Sequence, residues 1–372
     1  MPVPTSTWRL IALLSLCFIL YTHLPSTHPS TPTPSPRAPT TPPLPLPESS
    51  STTTTTSSPR IPHKIWQTWH TPTHLLNATD TSRLTTWLTL NPSYRHELLT
   101  DTSAATYIQH HYLSSPSAEL REIGSVYTQL TDRILKADFL RYLILYASGG
   151  IYTDLDTSCL FPIHQWAHPS KFSMDDAGVV LGIESDREPV ENDWRLYRDY
   201  RARIWGFNNW TIASAARHPL MLAVIRAVAK NLRGLAEGKG KGLGELGDVF
   251  YKEVIDSTGP RAFTDAVVGF VAGWDEANGN GAKKEGRGEE GVYKQVGLLE
   301  KSKMVAGDVL VLPIRAMSVL EADRNDGEGA RSLGVESVVR HWSEGTWKAD
   351  HFVIYGEKPE GWKGAEVVKG ID

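Results

Sequence analysis

The stretch LKADFLRYLILYASGGIYTDLDTSCLFPI, Leu135 to Ile163, decides how the rest of the chain reads. Apolar residues at helical spacing run from Ile134 to Leu145 and stop at Ser148-Gly149-Gly150, where two glycines suit the closing of a helix and a reversal of the chain. Ile151 and Tyr152 then open a short strand that is predicted to deliver Asp154 and Asp156 at its end. Residues i and i+2 of an extended chain point the same way. Two carboxylates therefore converge on one face at a strand terminus, the place where α/β folds bind ligands.

A pair of hard oxygen ligands that leaves positions open suits Mn2+ or Mg2+ bridging to a substrate diphosphate. The cation would serve as a Lewis acid that neutralises a departing nucleoside diphosphate. Most D-x-D pairs are solvated loop carboxylates, and the Gly-Gly-aromatic-x-Asp-x-Asp context behind an amphipathic helix is what sets this one apart. Asp138 and Arg141 lie three apart on that helix and share a side of it, either as a surface ion pair or as part of the site. Asp154-Leu155-Asp156-Thr157 also fits the D-x-D-x-T nucleophile motif of haloacid-dehalogenase-type phosphatases. That fold needs its first aspartate near the domain start and its later acidic ligands a whole Rossmann unit downstream. Here a long stretch of domain precedes the pair, and Asp175-Asp176 follows it too soon.

Outward from this stretch, strand-like and helix-like patches alternate from Arg60-Ile61-Pro62 onward, which predicts an α/β sandwich. Three segments rich in glycine and charge, Gly234–Gly247, Asn278–Gly291 and Asp323–Ser332, are expected to be mobile surface insertions. Upstream, residues 25–59 are almost wholly Pro, Ser and Thr, with too little apolar surface to offset the entropy of folding, and predict an extended stem. Before the stem, Leu10 to Leu24 form an apolar run ending at Pro25, somewhat shorter than the ~20 residues of a typical spanning helix. It reads as a signal anchor or as the apolar region of a cleaved signal peptide. The lack of a small-x-small cleavage pattern, with Trp8 and Tyr21 placed as interfacial aromatics, favours the anchor. The expected organisation is a cytosolic tail (1–9), a signal anchor (10–24), a stem (25–59) and a catalytic domain (60–372). That is the layout of a single-pass type II Golgi membrane enzyme with a lumenal domain.

With 372 residues and 40% hydrophobic content, one catalytic domain can bury a substantial core. A net charge of −4 and the absence of a long basic stripe argue against nucleic acid as the main partner. Of the two cysteines, Cys17 lies in the apolar run, so Cys159 has no partner with which to brace the globular part. Two sequons, Asn77-Ala78-Thr79 and Asn209-Trp210-Thr211, would meet the oligosaccharide machinery if the domain is lumenal. Asn77 sits in a polar stretch and is expected to be exposed and modified. Asn209, at what reads as the entry to a helix, is expected to be unmodified and to cap that helix or bind substrate.

IPHKIWQTW (Ile61 to Trp69), the Leu135 to Thr157 stretch, GIESD with Trp194 following, NNWTIASAARHP (Asn208 to Pro219), TGPRAFTDA (Thr258 to Ala266), GDVLVLPI (Gly307 to Ile314) and HWSEGTWKADH (His341 to His351) occur in this order. Together they resemble glycosyltransferase family 32, and within it the fungal initiating α-1,6-mannosyltransferases. The resemblance implies a GT-A fold, a Rossmann-like sheet that binds a nucleotide sugar, with Mn2+ (or Mg2+) at the D-x-D and retention at the anomeric carbon. It implies that Asp156 ligates the metal and that Asp154 contacts ribose and metal. Asp138 and Arg141 resemble the pair that binds the donor sugar hydroxyls, and Tyr152 belongs with the donor-binding residues. Trp69 matches the tryptophan stacked on the base. His341 and Trp347 match the C-terminal motif over the diphosphate, with His341 a further metal ligand. Trp66 stands where relatives commonly carry His, and Thr346 stands for a usual Ser.

The activity so implied is transfer of mannose from GDP-mannose to a mannose-rich glycoprotein N-glycan, opening a 1,6-linked outer chain. Relatives that mannosylate inositol-phosphorylceramide are the alternative, although they tend to carry C-terminal spans where this sequence reads WKGAEVVKGID. A non-catalytic sugar-nucleotide or glycan-binding module is the alternative of another class, and the presence of Asp154, Asp156, Asp138, Arg141 and the His-Trp pattern argues against it. No nucleophile is identified; Asn208 and Asn209 are the candidate catalytic side chains.

Overall fold

The computed structural model describes residues 60–167, 172–186, 205–247, 249–278, 291–292, 295–296, 299, 301–317 and 337–342. The tail, anchor and stem, the segment 323–332, and Trp194 and Trp347 lie outside these residues. Among the described residues no helix is long and apolar enough to cross a membrane.

The helices in chain order are α1 (Ala78–Leu90), α2 (Asp101–Ile108), α3 (Ala118–Gln129), α4 (Arg133–Ser148), α5 (Pro219–Gly238), α6 (Tyr251–Ser257), α7 (Pro260–Ala277) and the single turn α8 (Ile314–Met317). The strands are β1 (Lys64–Thr68), β2 (Arg95–Leu99), β3 (Gly150–Thr153), β4 (Thr157–Cys159), β5 (Val179–Asp186), β6 (Trp205–Phe207), β7 (Thr211–Ser214), β8 (Lys303–Val305), β9 (Val309–Leu312) and β10 (Val339–His341).

The main sheet runs β2-β1-β3-β7-β5-β9-β8, with β6 on β5. β1 is parallel to β2 and β3, and β5 is parallel to β9, while β7 runs antiparallel to both β3 and β5. The directions of β1, β2, β3, β5 and β9 are therefore the same, and the carboxyl ends of five strands collect on one edge. Alternate residues divide the core. Trp66, Tyr152, Val179, Leu181, Ile212 and Val311 face the cluster that also holds residues of α4, α5 and α7. Ile65, Ile151, Val180, Ala213, Leu310 and Leu312 face the cluster containing Trp87 of α1 and Trp166. Apolar layers on both faces of the sheet make this the expected α/β sandwich.

α4 is set by its ends. The Asp132 side chain accepts from the Ile134 and Leu135 amides, both at 2.9 Å. Gly149, at φ +65°, closes the helix, and Gly150 at φ +103° starts β3. A Cβ on Gly149 would lie 2.5 Å from the Ala216 amide nitrogen, and one on Gly150 2.6 Å from the Lys64 carbonyl oxygen. Neither the backbone angle nor the space admits another residue.

Two sequence expectations fail. Gly234 does not begin a surface insertion, because the apolar period of α5 runs through Leu232 to buried Ala236 and holds the helix to Gly238. WTIASAA is not a helix entry: Thr211–Ser214 form β7, with all four residues buried between β3 and β5, and α5 starts only at Pro219 behind the His218 cap. A short apolar run fits either state when it is buried on both faces, and pairing on two sides decides for strand here.

A second, two-stranded ribbon positions the site. β10 pairs antiparallel with β4 in the register Val339↔Cys159, Arg340↔Ser158, His341↔Thr157. Trp342 extends it: its amide donates to the Asp156 carbonyl at 2.9 Å and its indole N–H to Ser158 Oγ at 3.0 Å.

Candidate active site

The turn after β3 carries the two carboxylates, and the ribbon brings the third group. One ligand atom from each of Asp154, Asp156 and His341 lies within 4.8 Å of the others. His341 Nε2 is 3.3 Å from Asp156 Oδ1. Two hard oxygens and one imidazole nitrogen, a set of three that leaves further positions for substrate oxygens, fit Mn2+ or Mg2+. Burial would hold His341 neutral, but the hydrogen bond and charge of Asp156, with Asp154 and Glu184 farther off, raise its pKa above the ordinary value. Its ring is stacked on Trp210 with centroids 4.7 Å apart and planes 12° from parallel. The same Trp210 accepts at its carbonyl from the Asp154 amide, at 2.8 Å.

Asp154 is anchored on every side. Its Oδ1 accepts from the Tyr152 hydroxyl at 2.8 Å and stands 3.2 Å from Arg141 Nη2. Burial nevertheless pushes its carboxyl up to about 6, against the pull of Arg141 and with Asp156 adding to the rise. The carbonyl of Asp154 accepts from Thr157 Oγ1 at 2.6 Å and from Gln67 Nε2 at 3.3 Å. Thr157 in turn meets Thr153 at 2.8 Å, and Thr153 meets Thr211 at 2.7 Å, a chain of buried hydroxyls that binds β3, β7 and the turn together.

Asp138 and Arg141 are not a surface pair. Both are buried, with Asp138 Oδ1 at 2.9 Å from Arg141 Nη2. Thr258 Oγ1 donates to Asp138 Oδ2 at 3.0 Å, and Asn209 Nδ2 reaches Asp138 Oδ1 at 3.5 Å and the Tyr142 hydroxyl at 3.0 Å. Burial raises the Asp138 pKa, with Arg141, Thr258 and Asn209 opposing. Arg141 also donates from Nη1 to the Asn209 carbonyl at 3.0 Å and lies over the Tyr152 ring at 5.1 Å. Its Nε and the Trp210 indole nitrogen are buried with no protein partner among the described residues. Buried donors without acceptors beside a cation site suit an oxygen-rich ligand.

Of the other expected residues, Trp69 follows β1 at the same edge, partly exposed, with its amide donating to Leu99 and its ring against His70 at 4.8 Å. Tyr152 is fully buried, and its hydroxyl also meets Thr68 Oγ1 at 3.0 Å. Asn209 borders the Asp138 network, whereas the Asn208 side chain is occupied elsewhere. Its Oδ1 accepts from the Thr211 amide at 3.3 Å and its Nδ2 faces Met317 Sδ at 3.4 Å, contacts that shape the turn into β7. Trp66 packs in the core, its indole donating to the Gly149 carbonyl at 2.8 Å. Asp175-Asp176 lies in a short turn before β5 that Ser173 caps, with Asp176 Oδ2 accepting from the Ser173 amide at 2.9 Å. Gln67, Trp210, Tyr142 and Thr258 escaped the sequence reading. Each sits within a quoted motif, yet the role of each depends on contacts with distant parts of the chain.

The family described as glycosyltransferase sugar-binding region containing DXD motif matches residues 79–173. The initiation-specific alpha-1,6-mannosyltransferase of Schizosaccharomyces pombe is 32% identical over 296 residues, covering 78% of this chain and 64% of that protein. The enzyme of the same description from Candida albicans is 31% identical over 299 residues, covering 78% and 72%. Inositol phosphoceramide mannosyltransferase 3 of Schizosaccharomyces pombe is 33% identical over 101 residues, covering 27% and 25%. The chain thus spans somewhat less than two thirds of the first of these relatives. Among solved structures, PaToxG glycosyltransferase is similar at 17% identity and TM-score 0.38, covering 59% of this chain and 73% of that one.

Proposed function

The chain belongs to the DXD-containing glycosyltransferase family of the initiation-specific alpha-1,6-mannosyltransferases, and from that premise we propose that it moves mannose from GDP-mannose to a mannose-rich N-glycan on glycoproteins, with retention, in a GT-A-type fold. The reading extends to a 1,6-linkage and to a lumenal Golgi domain held by the N-terminal anchor. The observation that carries it is the convergence of Asp154, Asp156 and His341 on one point, beside a buried arginine with an unspent donor.

Asp154, Asp156 and His341 would hold Mn2+ (or Mg2+), which when bound supplies positive charge to the leaving diphosphate. Arg141 is itself fixed by Asp138, Asp154 and the Asn209 carbonyl, so its guanidinium is oriented before substrate arrives. Asp138 and Asn209, tied to Thr258 and Tyr142, form the wall against which a sugar hydroxyl would be received. Trp69, at the carboxyl end of β1, is available to stack on a base. No side chain is assigned as a nucleophile, and attack on the same face as the leaving phosphate requires none.

The inositol-phosphorylceramide acceptor is the weaker alternative, since its relative matches only 27% of the chain against 78% for the mannosyltransferases. The test is a screen of the purified protein against a panel of nucleotide sugars with both acceptor types, reading nucleotide release and product linkage. Release from GDP-mannose with a new 1,6-linked mannose on a glycan supports the proposal. Transfer from another nucleotide sugar alone, or none at all, overturns it.

A further inference from the structure

We propose that Gln67 and His96 act as a two-residue relay that positions the Asp154 turn for cation binding. The inference rests on the reading of Asp154, Asp156 and His341 as a metal site. Gln67 is on β1 and wholly buried, and His96 is on β2 at the end of the sheet. His96 Nε2 lies 3.0 Å from Gln67 Oε1, and Gln67 Nε2 lies 3.3 Å from the Asp154 carbonyl oxygen.

The direction of the chain follows from what each atom can do. A backbone carbonyl only accepts, so the amide nitrogen of Gln67 must face Asp154 and its oxygen must face His96. His96 must then donate from Nε2, which selects that tautomer. Burial lowers the His96 pKa to about 4, so the ring is neutral at neutral pH and its Nε2–H is the donor that fixes the amide. Without that donor the Gln67 amide is free to turn over and set one carbonyl oxygen against another.

The carbonyl held in this way belongs to a residue whose amide is fixed by Trp210 and whose Oδ1 is fixed by Tyr152 and Arg141. Thr157 supplies the other side-chain donor to the same oxygen. Gln67 ties the Asp154 carbonyl directly to β1 and, through His96, to β2, beside the indirect tie from Thr68 of β1 through the Tyr152 hydroxyl to the carboxylate. Partners that orient a ligating group typically change metal affinity ten- to a hundredfold on removal. A buried glutamine that only satisfies a stray carbonyl would change stability and leave affinity alone.

The experiment measures Mn2+ binding to the purified full-length protein at saturating GDP, from the free-Mn2+ electron paramagnetic resonance signal, alongside melting in EDTA. Gln67→Leu and His96→Phe should each weaken Mn2+ binding about tenfold, and the double variant should be no weaker than Gln67→Leu, because the two act through one chain. His96→Gln, whose amide offers a donor at similar reach, should stay within about twofold of the wild type. Should Gln67→Leu fail to fold, His96→Phe at the partly buried edge-strand position carries the test. Unchanged Mn2+ affinity in the folded variants, with lower melting temperatures, overturns the relay and leaves the metal site standing. Equal binding by wild type and Asp156→Asn overturns the metal site and the relay with it.

Discussion

Arg141 lies with Nη2 3.2 Å from Asp154 Oδ1, so a helix residue and a strand-end carboxylate share one charge contact at the centre of the site. The same nitrogen stands 2.9 Å from Asp138. One guanidinium therefore contacts a buried carboxylate, Asp138, and a partly exposed one, Asp154, and fixes both relative to α4.

Arg141→Ala leaves Asp138 buried without its counter-ion, a change that costs about 3–5 kcal/mol. Arg141→Lys keeps the charge and should preserve most of the stability. A single ammonium cannot contact Asp138, Asp154 and the Asn209 carbonyl together, so turnover should fall at least ~10-fold. Melting temperature and transfer rate measured on the lysine variant decide between roles. Wild-type turnover there would make Arg141 a purely structural counter-ion.

Asp154 gives a stability test with a definite sign. Its folded pKa of about 6 lies above the ordinary 3.8. The folded state thus keeps a proton that the unfolded chain releases, and stability from this group falls as pH rises from about 4 through 6. In EDTA at pH 7, Asp154→Asn should therefore melt higher than the wild type, by on the order of 1–2 kcal/mol. Mn2+ should raise the wild type and reverse the order. A less stable metal-free Asn variant would contradict the assignment of strain to that carboxylate.

Asp156→Asn removes one ligand charge and its contact with His341. Turnover should drop by roughly 100-fold or more, and chelation of the wild type should act alike. Turnover of the variant in Mn2+ within about threefold of wild type would show that the site has been wrongly located.

Both His341 and Asp154 have raised pKa values, from their carboxylate neighbours and from burial respectively. Each must shed its proton to ligate, so Mn2+ affinity should strengthen as pH rises from 5 to 8, with protons released on binding near pH 6. Calorimetry in buffers of different ionisation enthalpy reads that release directly. A pH-independent affinity with no proton release would exclude these two groups as ligands.

The two sequons should behave differently in a secretory host. Asn77 is exposed and caps α1, its Oδ1 accepting from the Asp80 amide at 2.8 Å, a contact that a glycan on Nδ2 leaves in place. Asn209 is buried with Nδ2 spent on Asp138 and Tyr142, and no glycan fits there. Mass spectrometry of active protein should find occupancy at Asn77 and none at Asn209, and Asn209→Gln should impair activity more than Asn77→Gln. Occupied Asn209 in active enzyme would contradict the burial of that amide.

The helix, glycine pair, strand and carboxylates were legible because each depends on neighbours within a few residues. The Gly149-Gly150 pair that ends α4 and the apolar Ile151-Tyr152 that follows it into β3 are local signals. What the spacing of Asp138 and Arg141 could not tell is that α4 is covered on nearly every side, which turns an apparent surface pair into a buried one. Strand β7 was misread for a similar reason, since burial on both faces removes the alternation that marks a strand. The neighbours of Asp154 were hidden too, because Gln67, Arg141 and Trp210 reach it from β1, α4 and the turn before β7. The resemblance supplied His341 as a ligand, but nothing in the local sequence says that it pairs with Thr157.

That pairing sets a sequence of events in the making of the enzyme. Asp154 and Asp156 emerge from the ribosome just after β3, whereas His341 follows only with β10, after the last strand of the main sheet, β9, has been synthesised. Until β10 docks on β4, the carboxylates of Asp154 and Asp156 lack the imidazole that completes the group. A nascent or cleaved chain ending before Val339 would carry much of the sheet and no three-ligand centre. On the proposed reading of Asp154, Asp156 and His341 as cation ligands, the centre is thereby complete only once the segment beyond β9 has docked on β4.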